Sequence, residues 1–259
     1  MSDWGTGSYE LTAAQLEPVA TMAIDAVEPV TGKTLLDLAC GTGNASLEAA
    51  SRGAIVTGID PATRLLEVAR GRAQDAGLEA DWVEGDFHSL PFEDDSFKVV
   101  TSVFGVIFGA NENDIAAEIA RVLEPSGRLA LTTWVDTGTM SKVGALIRTA
   151  VEETTDLPDA DRPRFEWGEE GNLKFLFANH GISVQTETRQ TSFHAESPQQ
   201  MSDEWADNHP MWLATKEAVG DERYSQLRAE IVAILEVGNE DPPAMKLTSD
   251  YLVITGSPI

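Results

Sequence analysis

Residues 34–48 read TLLDLACGTGNASLE, an apolar run that stops at Ala39-Cys40, breaks into Gly41-Thr42-Gly43 and resumes in helix-forming residues. A glycine pair between a buried strand and a helix lets a ligand approach the main chain closely, beside the amide donors of the helix N-terminus. A dinucleotide-binding fingerprint needs a third glycine at position 46, where helix and strand pack closely. Serine stands there instead. The turn alone therefore leaves three readings open: a phosphate loop, the wall of another cofactor, or a plain connector. Asp37, inside the strand, either reads a ligand or caps local backbone.

Outward from this turn, short apolar segments alternate with helical patterns. TLLDLA (34–39), AIVTGID (54–60), ADWVEGD (80–86), FKVVTSVF (97–104) and RLALTTW (128–134) read as strands. Residues 62–76 put Leu65, Leu66, Ala69 and Ala73 on one helical face with Gly77 placed to stop it, and residues 112–123 behave likewise before the turn Pro125-Ser126-Gly127. Such alternation predicts an α/β fold, a parallel sheet covered on both faces. Beyond Trp134 the pattern loosens. Helices are predicted over 139–156, 168–180 and, with breaks, 198–237, with strands over 182–193 and 251–255. The expected organisation is an N-terminal helical segment (1–30), a core (31–136) and a C-terminal half (137–259) carrying helical insertions at about 139–167 and 198–240.

Bulk properties restrict the partners. The chain has 259 residues, 42% of them hydrophobic, enough for one large α/β domain or one domain with a smaller lobe. Its 43 acids against 18 bases give a net charge of -25, which repels nucleic acid. The single cysteine, Cys40, excludes an internal disulfide and a cysteine-built zinc site and fits a reducing compartment. No metal site is expected. MSDWGTGSYELT has neither a basic start nor an apolar signal core, and no run approaches membrane length, so a cytoplasmic protein without membrane contact is expected.

Two further strand ends carry acids. Asp60, followed by Pro61, can accept both hydroxyls of a ribose laid across the sheet edge; alternatively it N-caps a helix beginning near Ala62, with Pro61 at the first helical position. In Gly85-Asp86-Phe87, Asp86 can accept from a purine amine while Phe87 packs near the ring, or it closes an Asx turn. Three sheet-end acids in register with one glycine turn are best explained together by a nucleoside ligand.

In order, LLDLACGTG, the strand-end Asp60, GDFHSLPFEDDSFKVV and EIARVLEPSGRLALTTW resemble the class I S-adenosylmethionine-dependent methyltransferases, specifically the small-molecule, type 11/25-like group, over roughly residues 30–135. The resemblance implies a doubly wound, Rossmann-like sheet of seven strands, mostly parallel with an antiparallel last strand, and added helices forming a substrate lid. It also implies that Asp37 and the backbone from Ala39 and Cys40 to Gly41 and Gly43 hold the methionine end, Asp60 with Pro61 the ribose, and Asp86 and Phe87 the adenine. Ser102 would line the cofactor near the reacting methyl. Lys98, where an acid is usual, and Ser126, in place of a glycine, depart from the pattern at structural positions.

A sulfonium-bound methyl is already activated, so such an enzyme has mainly to align a nucleophile and exclude water. A general base is needed only for a protonated nucleophile. Of His88, His180, His194 and His209, the last, in WADNHPMW, is the one expected to face a substrate. Around it Trp205 and Trp212 either cover a flat, greasy substrate or form the core of a helical lobe. Trp4 and Tyr9 precede a helix over 11–28 and either close over the cofactor or anchor the terminus. Arg148, Arg162 and Arg164 either meet an anionic group or are solvated. The expected acceptor is a small molecule, and the protein is a monomer or homodimer. An NAD(P)-dependent oxidoreductase, disfavoured by Ser46, and a non-catalytic S-adenosylmethionine-binding protein are the alternatives.

Overall fold

A computed structural model describes residues 4–154 and 165–259 of the chain. Arg162 and Arg164 lie outside the described residues. The elements run α1 (Glu10–Gln15), α2 (Glu17–Asp25), β1 (Thr34–Leu38), α3 (Asn44–Ser51), β2 (Ile55–Asp60), α4 (Thr63–Ala76), β3 (Asp81–Glu84), β4 (Phe97–Val103), α5 (Glu112–Val122), β5 (Leu123–Trp134), α6 (Gly138–Thr154), α7 (Glu170–Ala178), β6 (Ile182–Ala195), α8 (Pro198–Asn208), α9 (Pro210–Gly238) and β7 (Met245–Pro258). They form two compact units, one of residues 16–134, 165–189 and 251–259, the other of residues 4–15, 135–154 and 190–250.

The sheet is seven-stranded, in the order β3-β2-β1-β4-β5-β7-β6. β1 pairs in parallel with both β2 and β4, β2 with β3 and β4 with β5, whereas β7 runs antiparallel to β5 from Leu129↔Gly256 to Trp134↔Tyr251. The order reverses between β1 and β4, the place where open α/β sheets bind ligands at their carboxyl ends. Leu35, Leu36 and Leu38 are all fully buried, because helices cover both faces of a central parallel strand. On one face Ala45 and Ala49 of α3 let that helix approach Leu35, Val56 and Val99 closely. Leu65, Leu66, Ala69 and Ala73 form the buried stripe of α4, and Gly77 ends it in the left-handed region (φ 65°), as the sequence predicts.

Two local expectations are corrected. The helix predicted over 11–28 is two helices, because Pro18 in the first turn of α2 cannot continue α1 and Leu16 breaks the run at φ -99°, ψ 0°. The turn at Pro125-Ser126-Gly127 lies within β5 as an irregularity: Leu123 pairs with Phe97 and Arg128 with Val99, so residues 124–127 bulge opposite Lys98. Lys98 meets Glu124 there, an ion pair that accounts for a base in this position.

In the other unit α6, α8 and α9 pack together. Trp205 and Trp212 are 4% and 6% exposed; Trp205 stands edge-on to Phe193 at 6.2 Å and 5.6 Å from Trp212. The two indoles are core of this unit, consistent with the apolar spacing of α8.

Candidate functional site at the carboxyl edge of the sheet

Leaving β1, the chain enters the left-handed region at Ala39 (φ 50°), Gly41 (φ 54°) and Gly43 (φ 82°). For Ala39 this conformation is strained, and such strain is held only where surrounding structure enforces it. What enforces it is a set of bonds within the turn and to β2. Cys40 N donates to Ile59 O at 3.0 Å and Gly43 N to Cys40 O at 2.9 Å. Asp60, 5% exposed, takes Gly41 N on Oδ2 at 2.9 Å and Ala62 N on Oδ1 at 2.8 Å. Burial pushes its carboxyl above the usual range against the pull of those two amides. Asp60 is not the N-cap of α4: the cap position is Ala62, and Pro61 lies outside the helix.

Asp37, 1% exposed, accepts from Ser46 Oγ at 2.7 Å. Burial pushes this carboxyl up to about 7, with the Ser46 hydroxyl and amide opposing and the charge of Asp60 adding. The residue at the third-glycine position is therefore a serine because its hydroxyl serves a buried carboxylate. The same burial, with Asp37 and Asp60 nearby, raises the Cys40 thiol well above its ordinary value.

Three supports of the turn were not expected from the sequence. Arg72 of α4 reaches Thr42 O (2.8 Å) and Asn44 Oδ1 (2.6 Å) through Nη1 and Glu17 through Nη2 (2.7 Å), bracing the turn against α2. Trp82 of β3 lies against two glycines at once: a Cβ on Gly43 or on Gly58 would come within 2.8 Å of its ring. Gly105, just past β4, faces Ala39 so closely that a Cβ there would sit 2.5 Å from Ala39 Cβ. Its neighbour Phe104 also has a left-handed φ, 56°, and stacks on Trp134 at 3.8 Å with 5° between planes. Two strained non-glycine residues thus face the ligand edge from adjacent strands. The one sequence signal available was the unexplained glycine in each of TGID and VFG.

The remaining expected residues are distributed as follows. Ser102 is fully buried, its Oγ donating to Leu38 O at 2.7 Å and accepting from Val106 N at 3.2 Å, so it ties β1 to the segment after β4. Asp86 is turned onto His88, accepting from its amide at 2.8 Å and meeting Nδ1 at 2.5 Å, the Asx-turn geometry. Burial raises the Asp86 carboxyl, but the amide and imidazole of His88 together hold it below the usual range. Phe87, 8% exposed, lies beside Gly109.

In the helical unit, His209 stands edge-on to Tyr9 at 5.5 Å and Trp4 at 5.7 Å, and these two meet at 5.1 Å. Ser8 N bonds Asn208 O at 2.9 Å beside them. His209 Nδ1 accepts from Met211 N at 3.3 Å, capping α9, and burial pushes the imidazole down to about 4. The ring is neutral at pH 7 with its proton on Nε2, so its lone pair is already committed. That arrangement suits donation and opposes a general-base role. His180 follows α7, and His194 and Arg148 are exposed. Among the described residues no group of three or more His, Cys, Asp or Glu could hold a metal ion, and no helix is long and apolar enough to cross a membrane.

Comparison with known proteins bears on the same stretch. A family model described as a methyltransferase domain matches residues 35–127. An uncharacterized protein of Mycobacterium tuberculosis is 33% identical over 184 residues, 71% of this chain and 66% of that protein; the chain spans about two thirds of such relatives' length. A demethylmenaquinone methyltransferase of Clavibacter sepedonicus is 43% identical over 118 residues, 45% of this chain and 46% of its own. In fold, the chain is similar to the geranyl diphosphate C-methyltransferase of Streptomyces coelicolor A3(2), solved with Mg2+, geranyl diphosphate and S-adenosyl-L-homocysteine, at TM-score 0.56, 14% identity, and coverage of 93% of this chain and 78% of that one.

Proposed function

We propose that this chain, which belongs to the class I S-adenosylmethionine-dependent methyltransferases, transfers a methyl group to a small-molecule acceptor. One observation carries the reading: two buried carboxylates, Asp37 and Asp60, converge on a left-handed glycine turn at the point where strand order reverses. The amides of Gly41 and Ala62 fix the Asp60 carboxylate, and each of its oxygens retains a second lone pair for a ribose hydroxyl. Asp37 supplies negative charge for the ammonium of the methionine end. Asp86 and Phe87 complete the adenine side, with His88 holding the Asp86 side chain in place.

When bound, S-adenosylmethionine supplies a methyl on positive sulfur, ready for in-line displacement. The protein's part is alignment and exclusion of water. His209, neutral and accepting from Met211 N on Nδ1, is not assigned the role of general base. Similar proteins are named for acceptors as different as demethylmenaquinone and geranyl diphosphate, which leaves the acceptor open within the small molecules. The lone buried thiol, Cys40, suits a reducing compartment, and we place the reaction in the cytoplasm.

Calorimetry with S-adenosylmethionine, S-adenosylhomocysteine and NAD tests this directly. The first two should bind and raise the melting temperature by mass action, and NAD should not. Absence of any shift with S-adenosylmethionine at millimolar concentration would overturn the reading, and a protein that binds it yet yields no S-adenosylhomocysteine with any acceptor would be a binding protein only.

A further inference from the structure

Asp86 Oδ1 accepts twice from one residue, from the His88 amide at 2.8 Å and from His88 Nδ1 at 2.5 Å. The amide alone closes the Asx turn, so the imidazole is an addition to it. Oδ2 has no partner among the described residues, and the Asp86 side chain is 57% exposed. One oxygen of this strand-end carboxylate is therefore held, and the other is open to a ligand.

The direction of the imidazole bond follows from its geometry. Without a proton on Nδ1, a lone pair would face a carboxylate oxygen at 2.5 Å, so the proton sits on Nδ1 and His88 donates. Nε2 is buried without a partner, and a proton moved there would be an unmade donor. The ring is also fixed in place. It lies on Phe87 at 4.8 Å with 42° between planes, and Phe87 is held in turn beside Gly109, where a Cβ would come within 2.7 Å of its ring. A histidine held at its face and at Nδ1 restrains the carboxylate so that Oδ2 is the oxygen left to present.

We propose that His88 is a positioning residue for the cofactor: by holding Oδ1 of Asp86 it aims Oδ2 at the exocyclic amine of adenine, and so makes the site select an amino-purine over an oxo-purine. This role rests on the methyl-transfer reading, in which Asp86 serves the adenine. An oxo-purine sets its carbonyl oxygen against Oδ2, two acceptors with no proton between them. The exposure of Asp86 leaves it partly hydrated, so the discrimination is about tenfold, well short of that in a closed site. With the imidazole gone, only the amide of residue 88 restrains the carboxylate, and the preference falls.

The test compares S-adenosylhomocysteine with S-inosylhomocysteine, which carries a carbonyl in place of the amine, by calorimetry on the full chain and on His88→Phe and His88→Asn. The parent should bind the adenosyl ligand about tenfold more tightly than the inosyl one. His88→Phe keeps a ring on Phe87 but has no donor, and its preference should fall to about threefold or less. His88→Asn, whose carboxamide nitrogen can take the place of Nδ1, should keep most of the parent's preference. A histidine that only supports the fold would shift both ligands equally and leave their ratio unchanged. The role of His88 is overturned if His88→Phe keeps the parent's ratio, if His88→Asn does no better than His88→Phe, or if the parent binds both ligands alike. In each of those cases cofactor binding itself stands. A parent that does not bind S-adenosylhomocysteine at all would instead overturn the methyl-transfer reading together with this role.

Discussion

Asp60 holds the Gly41 and Ala62 amides and, in the proposed function, also the ribose, and the amides change what a simple substitution reports. Asparagine keeps one acceptor but turns an N–H₂ toward the Gly41 or Ala62 amide, so Asp60→Asn should lower the ligand-free melting temperature by several degrees, a charge-assisted bond contributing on the order of 1.5–3 kcal/mol. The ribose duty is isolated by a cycle with ligand as second partner. The parent should prefer S-adenosylhomocysteine over its 2′-deoxyribose analogue about tenfold, and Asp60→Asn should lose that preference. Equal preference in both proteins would leave Asp60 a brace for the turn and nothing more. Asp37 makes a different prediction. Its carboxyl titrates near 3.8 in the unfolded chain and about 7 in the fold, so between those values the folded protein holds the extra proton. Its contribution is therefore most favourable at low pH, declines as pH rises from about 4 to 7 and is flat above. A ligand ammonium beside it favours the carboxylate, so S-adenosylmethionine should release a proton on binding below pH 7 and bind more tightly as pH approaches 7. Calorimetry in buffers of different ionisation enthalpy reads the proton. Asp37→Asn should abolish its release, and release that survives in that variant would assign the titration elsewhere.

Between elements, the contact that matters most is β3 on the turn after β1. Gly43 needs glycine twice over, for φ 82° and for the 2.8 Å approach of the Trp82 ring. Gly43→Ala should cost about 1 kcal/mol in backbone strain plus the clash, and adding Trp82→Ala should recover the steric share alone. Chemical denaturation of the two singles and the double measures this, and strictly additive losses would show that Trp82 does not press on the turn. That contact was not readable beforehand, because β2 and β3 meet through pairing distant in sequence, whereas the turn, Asp37 and Asp60 announce themselves as glycines and acids at the ends of apolar runs. Arg72 looked like any solvated helix residue, and the left-handed backbone of Ala39 and Phe104 has no compositional mark. β1, β2, β4 and β5 were legible since parallel strands covered on both faces read as apolar runs, and the edge strand β3, with no buried residue, was legible from the turn residues that bound it. Pro18 marks the split at Leu16, and residues 198–238 carry both their breaks, His209-Pro210 and Gly220, in the sequence.

Over the whole molecule, the excess of acid is the dominant electrostatic fact. Forty-three acids face 18 bases, and several bases are consumed in clusters: Arg52 holds Asp25, Glu28 and Glu48, and Arg121 holds Glu118 and Asp94. Each exposed pair contributes at most about 1 kcal/mol. Carboxylates left without a counter-charge repel one another across the surface, and compaction brings them closer than in the unfolded chain. Added salt weakens both effects: the screening length falls from about 30 Å at 0.01 M to about 8 Å at 0.15 M. Short pairs at 2.6–2.9 Å, such as those of Arg52, lie well inside either length, whereas repulsion between scattered carboxylates acts over distances that the higher salt cuts off. Repulsion should therefore be the larger loss, and the melting temperature of the ligand-free protein should rise by a few degrees between those two concentrations of sodium chloride. Sodium sulfate would mix in surface exclusion, so chloride is the salt to use. A melting temperature that falls with chloride would mean that the ion-pair clusters outweigh the net charge.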